Sequence, residues 1–354
     1  MAPKRSSETL KACDEAYAVW VASGAVFPAE EAIEYKPSVP PIFGQVSVWE
    51  TMLSRLPSIL PATRVVHIPD GVVVGSSGWV VTPDSKVVAS LSWYESLERK
   101  PPLSKVFWEQ LEYLKGKVLN LGTISGSNNY GHFLLDGIGR ISVLEIAGMS
   151  VADFDWVVIP GFSSRSSNEI VTRLGISQEK IIRLAEGEAI SGHDLYTPSL
   201  AGTSRIYRPC LPNFLRNNVT ATGAGKRIFI SRKEARRPIS NIDNLEKFLA
   251  EKAFEIVDPR EVDLPQLIAE AEIIIGAHGA AMADIAFATP GTKIIELIPS
   301  DHMFPYFYSL AVAAALDYRV VIGASEHVRE LDETGPSPYS FEVDLEALSM
   351  ALSY

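Results

Sequence analysis

Hydrophobic and polar positions change rhythm several times along this chain. Leu10, Cys13, Tyr17 and Trp20 fall at helical spacing, with Lys11, Asp14 and Glu15 on the other faces, a pattern that suits core or dimer packing better than a membrane surface. Pro28, Pro37, Pro40, Pro41, Pro57 and Pro61 then predict an extended lead-in with little regular structure. From Gly71, β-rich runs at 72–74, 79–81 and 86–89 are separated by Gly/Ser and Pro-Asp-Ser turn signals, which predicts an antiparallel element.

Helices and strands alternate after that. Phe107, Leu111 and Leu114 predict a helix over 106–115, and a stronger pattern predicts one over 132–147. A strand over 156–160, a helix over 167–174 stopped by Gly175, and a strand over 180–184 complete βαβ grammar. The loose segment 198–225, with Pro209, Pro212, Gly223 and Gly225, marks a boundary. Beyond it come strands at 227–231, 254–257, 272–276 and 293–298 and helices at 242–252, 264–270 and 280–288, the period of a doubly wound sheet. A helical tail runs over 345–353. Four segments result: 1–70, a helix and lead-in; 71–215, a first α/β domain; 216–335, a second; and 336–354, the tail.

Composition narrows the class. At 354 residues and 47% hydrophobic content, two cores are expected rather than one. A formal charge of -11 argues against non-specific nucleic-acid binding, so any basic site must be local. Cys13 and Cys210 are too few for a disulfide framework or a Cys/His zinc site, which fits a reducing, cytoplasmic location. Neither a signal-like apolar core in residues 1–10 nor a run long enough to span a bilayer is present, so a soluble chain is expected.

The richest local signal is the run 273–281, where an aliphatic strand breaks at Gly276-Ala277-His278-Gly279 into an alanine-rich helix opened by Ala280. The carboxyl end of a buried strand followed by a helix amino terminus is where α/β sheets hold anions, and glycines let a phosphate approach the main chain. His278 would either donate to such a ligand or be a structural histidine. In the same half, Ser231, Arg232 and Arg237 lie in a basic stretch directly after a strand. Its guanidiniums suit a diphosphate, although a solvated charged loop reads the same way. Glu296 interrupts an aliphatic strand and would either hold ribose hydroxyls or form an internal salt bridge.

A second constellation follows Asn129 and Tyr130. His132 and Asp136 are four apart and share one helix face, so they could take a proton from a hydroxyl or one could orient the other. The alternative is that His132 only caps the first turn and Asp136 pairs with Arg140. Asp153-Phe154-Asp155 has the shape of a metal-holding Asp-x-Asp but precedes its strand, and Gly223-Ala224-Gly225-Lys226 lacks the remaining elements of a phosphate loop. No metal site and no cofactor is expected.

Taken together and in this order, Asn129-Tyr130-Gly131-His132-Phe133-Leu134-Leu135-Asp136, Ile230-Ser231-Arg232, Arg237-x-Ile239-x-Asn241, Gly276-Ala277-His278-Gly279-Ala280 and Ile295-Glu296-Leu297 resemble glycosyltransferase family 61. The resemblance runs over roughly residues 70 to 325, with Phe133 in place of a frequent tryptophan and Ala281-Met282-Ala283-Asp284 departing from the usual glycine and asparagine. It implies a GT-B-like fold of two Rossmann-type, doubly wound domains facing a cleft, and an inverting, metal-independent transfer from a nucleoside diphosphate sugar, UDP-linked, to a glycan hydroxyl. Ser231, Arg232, Arg237, Gly276, His278, Gly279, Ala280 and Glu296 would serve the donor, His132 and Asp136 the chemistry, and Asn129 and Tyr130 the acceptor. With no leader or anchor evident, the resemblance points to bacterial members of capsule or surface-polysaccharide synthesis. Such a protein would work beside membrane-bound assembly machinery, as a homo-oligomer or alone. A sugar-nucleotide epimerase of similar fold and a non-catalytic nucleotide-sugar binding protein are the rival readings.

Overall fold

The computed structural model describes residues 26–44, 49, 53–54, 56–84, 86–88, 91, 111–203, 206–232, 237–302, 304–327 and 337–354. The amphipathic pattern around Cys13 and the residues 106–110 and 233–236 lie outside the described residues. The fold is α/β and GT-B-like, with two units: residues 1–34 with 59–214, and residues 35–58 with 215–354.

The first unit is built on a seven-stranded mixed sheet. Val26–Glu30, Thr63–Val74, Ala189–Pro198, Glu112–Asn120, Trp156–Val158 and Ile181–Ile182 lie side by side in that order, and Trp79–Val81 folds back on Thr63–Val74 as the expected antiparallel element. From Ala189–Pro198 outward through Glu112–Asn120 to Ile181–Ile182 the pairing is parallel. Val66, Ile68, Val73, Val118, Val158, Ile190 and Leu195 fill one core, while Val72, Val74, Trp79 and Val81 pack with Ile124 in another. The helix Arg165–Arg173 starts where Ser164 and Ser167 exchange capping hydrogen bonds, and the chain leaves it through Gly175 at φ 66°.

Three expectations are corrected in this unit and in the lead-in, of which residues 35–58 belong to the second unit. Residues 112–115, expected in a helix, open the strand Glu112–Asn120. Leu114 and Val118 both reach the core, with Gly116 between them at φ 87°, and tertiary pairing overrides a local apolar spacing that suits either element. The lead-in is less irregular than its prolines suggest. It contributes Val26–Glu30, Ile33–Glu34, Ile42–Gly44 and Ile59–Leu60, all short and at sheet edges or in a two-stranded ribbon, where proline is tolerated. The helix expected over 132–147 is broken into an α-turn Tyr130–His132, a π-helix Phe133–Ile138 and an α-helix Arg140–Ile146. Two glycines at this break let neighbours pack close: a Cβ on Gly137 would sit 2.7 Å from Pro160 Cγ, and one on Gly139 2.8 Å from Leu211 Cδ1.

The second unit carries the doubly wound sheet. Numbered along the chain, its strands Lys226–Ile230, Glu255–Val257, Ala271–Ala277, Lys293–Pro299 and Asp317–Ser325 lie in the order 2-1-3-4-5, all parallel. The short strand Ile42–Gly44 pairs parallel, and Phe341–Glu342 antiparallel, with Asp317–Ser325. Phe229, Ile275, Ile295, Leu297 and Val321 on one face pack against Leu245, Leu249, Leu348 and Ala351 of the helices Ile242–Ala250 and Leu345–Ser353. The segment Ala280–Phe287, expected as an ordinary helix, is a 3-10 helix whose residues from Met282 to Phe287 are buried, Asp284 among them.

Candidate functional site

In a sheet of order 2-1-3-4-5 the ligand crevice opens at the carboxyl ends of strands 1 and 3, where consecutive connections leave to opposite faces. Here those ends are Ile230, followed by Ser231 and Arg232, and Ala277, followed by His278 and Gly279. The topology therefore joins two signals about 45 residues apart in sequence. Arg232 Nη1 donates to the His278 main-chain carbonyl, and Arg237 Nη2 reaches the same oxygen at 3.3 Å. Two cationic groups share one neutral acceptor, an arrangement that an anion would relieve. Burial lowers the Arg232 pKa from its ordinary value without threatening its charge.

Glycine leaves room where Arg232 crosses the turn. A Cβ on Gly279 would lie 2.0 Å from Arg232 Nη1, and one on Gly276 2.5 Å from Met282 Sδ. Ser231 donates to Glu246 Oε1 at 2.8 Å, which ties the strand end to the following helix. Ala280 is half-buried at the first position of the 3-10 helix.

Behind the turn lies a buried polar chain. His278 Nδ1 is 2.6 Å from Glu296 Oε1, and the Tyr318 hydroxyl donates to Glu296 Oε2. Glu296 is fully buried, with both oxygens engaged by side chains of its own unit. Burial, reinforced by Arg237 and Arg232, holds the His278 imidazole well below its usual range, and burial pushes the Glu296 carboxyl up to about 8. The Tyr318 phenol is pushed well up by burial and by Glu296. The rings of His302 and Phe307 close on His278 at centroid distances of 4.5 and 5.0 Å. His302 accepts from the Ser337 amide through Nδ1 at 3.3 Å. Sequence reading passed over Tyr318, which has no local signal, and His302, whose position just past Lys293–Pro299 matches that of His278 past its own strand.

The first unit holds the other constellation at the carboxyl end of Glu112–Asn120, whose neighbours Trp156–Val158 and Ala189–Pro198 are reached by separate connections. Asn129 caps the turn by accepting from the Gly131 and His132 amides at 2.8 and 3.3 Å. His132 Nδ1 meets Asp136 Oδ2 at 2.6 Å. The two differ sharply in exposure: the His132 side chain is 31% accessible and that of Asp136 1%. Asp136 Oδ1 is buried and makes no hydrogen bond within the described residues. Arg140 sends Nε to the Asp136 main-chain carbonyl at 2.9 Å and Nη1 to Pro198 O at 3.3 Å. Tyr130 and Phe133 both face Phe162, at about 6 Å. A partly exposed imidazole held through Nδ1 by a buried carboxylate is an arrangement that can serve general-base chemistry.

Among the described residues no cluster of three or more His, Cys, Asp or Glu side chains is placed to hold a metal ion, and no helix is long and apolar enough to cross a membrane. The sequence pattern of Glycosyltransferase 61 matches residues 130–295, from Tyr130 beside the His132 dyad to Ile295 beside Glu296. The chain is 35% identical over 65 residues to the β-1,2-xylosyltransferase RCN11 of Oryza sativa subsp. japonica, and 39% identical over 59 residues to a β-1,2-xylosyltransferase of Arabidopsis thaliana. Those stretches are 18% and 17% of this chain and 12% and 11% of the plant proteins, so only about an eighth of the length of these relatives is matched. The expectation of a bacterial, capsule-type protein is thereby overturned: over residues 130–295 the chain has the pattern of Glycosyltransferase 61, and its similarity is to plant β-1,2-xylosyltransferases.

Proposed function

We propose that this protein moves a sugar from a nucleoside diphosphate sugar to a glycan hydroxyl, with inversion at the anomeric carbon and without a metal ion. The observation that carries the reading is the convergence of Arg232 and Arg237 on the His278 carbonyl at the switch point of the second sheet. Two guanidiniums and the main-chain amides of a glycine turn supply there the positive potential that a departing diphosphate needs. Ser231, Gly276, Gly279 and Ala280 shape that donor site, and Glu296 stands behind His278.

In the first unit, Asp136 orients His132, and His132 Nε2 takes the proton of the acceptor hydroxyl. The acceptor oxygen forms its bond to the anomeric carbon as the bond from that carbon to the diphosphate oxygen breaks. The proton ends on His132 and the negative charge on the nucleoside diphosphate. Between the two candidates for the base, exposure favours His132, because Asp136 is sealed from any acceptor. Asn129 and Tyr130 frame the acceptor side.

The names of the two plant relatives make UDP-xylose the first donor to try. A cytoplasmic location remains part of this proposal and rests on cysteine usage alone. The test is a nucleotide-release assay over a panel of UDP-sugars, with and without glycan acceptors and with and without EDTA. Acceptor-dependent release unaffected by chelator is expected. Conversion of the donor sugar without any acceptor would replace the reading by an epimerase, tight binding without turnover by a binding protein, and abolition by EDTA would remove the metal-independent step.

A further inference from the structure

The proposed donor site has a polar relay behind it that neither the sequence motifs nor the relatives assign. We propose that Tyr318 and Glu296 are positioning residues that fix His278 as an Nε2–H tautomer, so that a neutral imidazole donates a hydrogen bond to the diphosphate of the donor. This rests on the donor-site reading above.

The sense of the hydrogen bonds on Glu296 fixes the tautomer. Glu296 is fully buried, and among the described residues its two oxygens meet one partner each, Tyr318 on Oε2 and His278 Nδ1 on Oε1. A phenol hydroxyl that donates to Oε2 makes that atom the carbonyl-like oxygen of the carboxyl group. If the group is protonated, its hydrogen therefore sits on Oε1 and points at Nδ1, and the ring's own hydrogen is left on Nε2. The opposite protonation would bury a full negative charge away from water, and that burial cost outweighs the opposing pull of the Tyr318 hydrogen bond and of Arg237. Two guanidiniums already press on the His278 carbonyl, so a protonated imidazole there is disfavoured as well. Burial acts in the same direction, raising the Glu296 carboxyl to about 8 and lowering His278. Among the described residues, the charged and titratable groups facing His278 are Arg232, Arg237, Glu296 and His302, with Tyr318 behind Glu296.

Glutamine decides the matter because its amide mimics only the protonated acid. In Glu296→Gln the carbonyl oxygen can accept from Tyr318 while the amide donates to Nδ1. Expected results are a UDP dissociation constant for Glu296→Gln within about threefold of the parent, and losses of about tenfold for Glu296→Leu and about fivefold for Tyr318→Phe, the size of a neutral hydrogen bond. Glu296→Gln as weak as Glu296→Leu would overturn the relay. A second measurement needs no variant: long-range nitrogen-15 correlation spectra of the unmodified protein should show the His278 hydrogen on Nε2, and a hydrogen on Nδ1 would refute it. The spectrum separates the two levels of inference, since failure of UDP to bind sinks the donor-site reading while the tautomer still reports on the relay.

Discussion

Replacing Gly279 with alanine isolates the donor site from the fold. Gly279 has φ 168°, an extended conformation that alanine adopts without strain. The added methyl would instead meet the far end of Arg232, at 2.0 Å from Nη1, 2.5 Å from Cζ and 3.0 Å from Nη2. A flexible guanidinium can swing away, so the chain folds with a loss of about 1 kcal/mol or less, but Arg232 leaves the His278 carbonyl. Where a charge-assisted hydrogen bond to a bound diphosphate contributes about 1.5–3 kcal/mol, its loss weakens UDP binding by roughly 10- to 100-fold. Titration calorimetry with UDP, beside a denaturant melt of both proteins, measures both effects at once. Parent-like UDP affinity in Gly279→Ala, with Arg232 shown displaced, would refute the assignment of Arg232 to the diphosphate.

Other expectations follow from named contacts. His132→Ala and Asp136→Asn should each lower kcat, by roughly 10²–10⁴-fold for the base, while donor affinity stays put; a fall confined to donor KM would place the dyad elsewhere. Glu270 is held well below the ordinary carboxylate range, first by Lys226 and then by Thr222 and Gln266. Because its folded pKa is depressed, the stabilisation is present above about pH 4 and lost as pH falls below it, so Glu270→Gln should flatten the acid limb of a melting-temperature profile. For Glu296 the sign reverses: a carboxyl raised to about 8 favours folding most at low pH and loses that contribution as pH climbs through 8. Stability of the parent should therefore fall from about pH 5 to pH 8 relative to Glu296→Gln, and parallel curves would contradict the buried protonated acid.

Much of the second unit was legible because its strands are continuous aliphatic runs, the mark of a sheet buried on both faces. Predicted strands at 227–231, 272–276 and 293–298 correspond to Lys226–Ile230, Ala271–Ala277 and Lys293–Pro299. The closing strand Asp317–Ser325 and the helix Tyr306–Ala313 before it were missed, since Tyr318 and Arg319 interrupt the aliphatic signal. The first unit was harder. Glu112–Asn120 mixes Lys115 and Lys117 with Leu114 and Val118, and the pairing that makes it a strand comes from Ala189–Pro198, far along the chain. The i, i+4 spacing brought His132 to Asp136 through a π-helix rather than the expected α-helix, and π segments are common at functional sites. Glu296 was legible as an anomaly, but not its partners, because Tyr318 is 22 residues away on the neighbouring strand.

The proposed donor site requires the diphosphate of an activated sugar to rest on the turn after Ala271–Ala277. A crystal structure with UDP bound tests it most directly. The β-phosphate should lie within hydrogen-bonding distance of Arg232 and of the main-chain amides of Gly279 and Ala280, with His278 Nε2 beside it. UDP bound with its phosphates away from Arg232 and His278 would contradict the account.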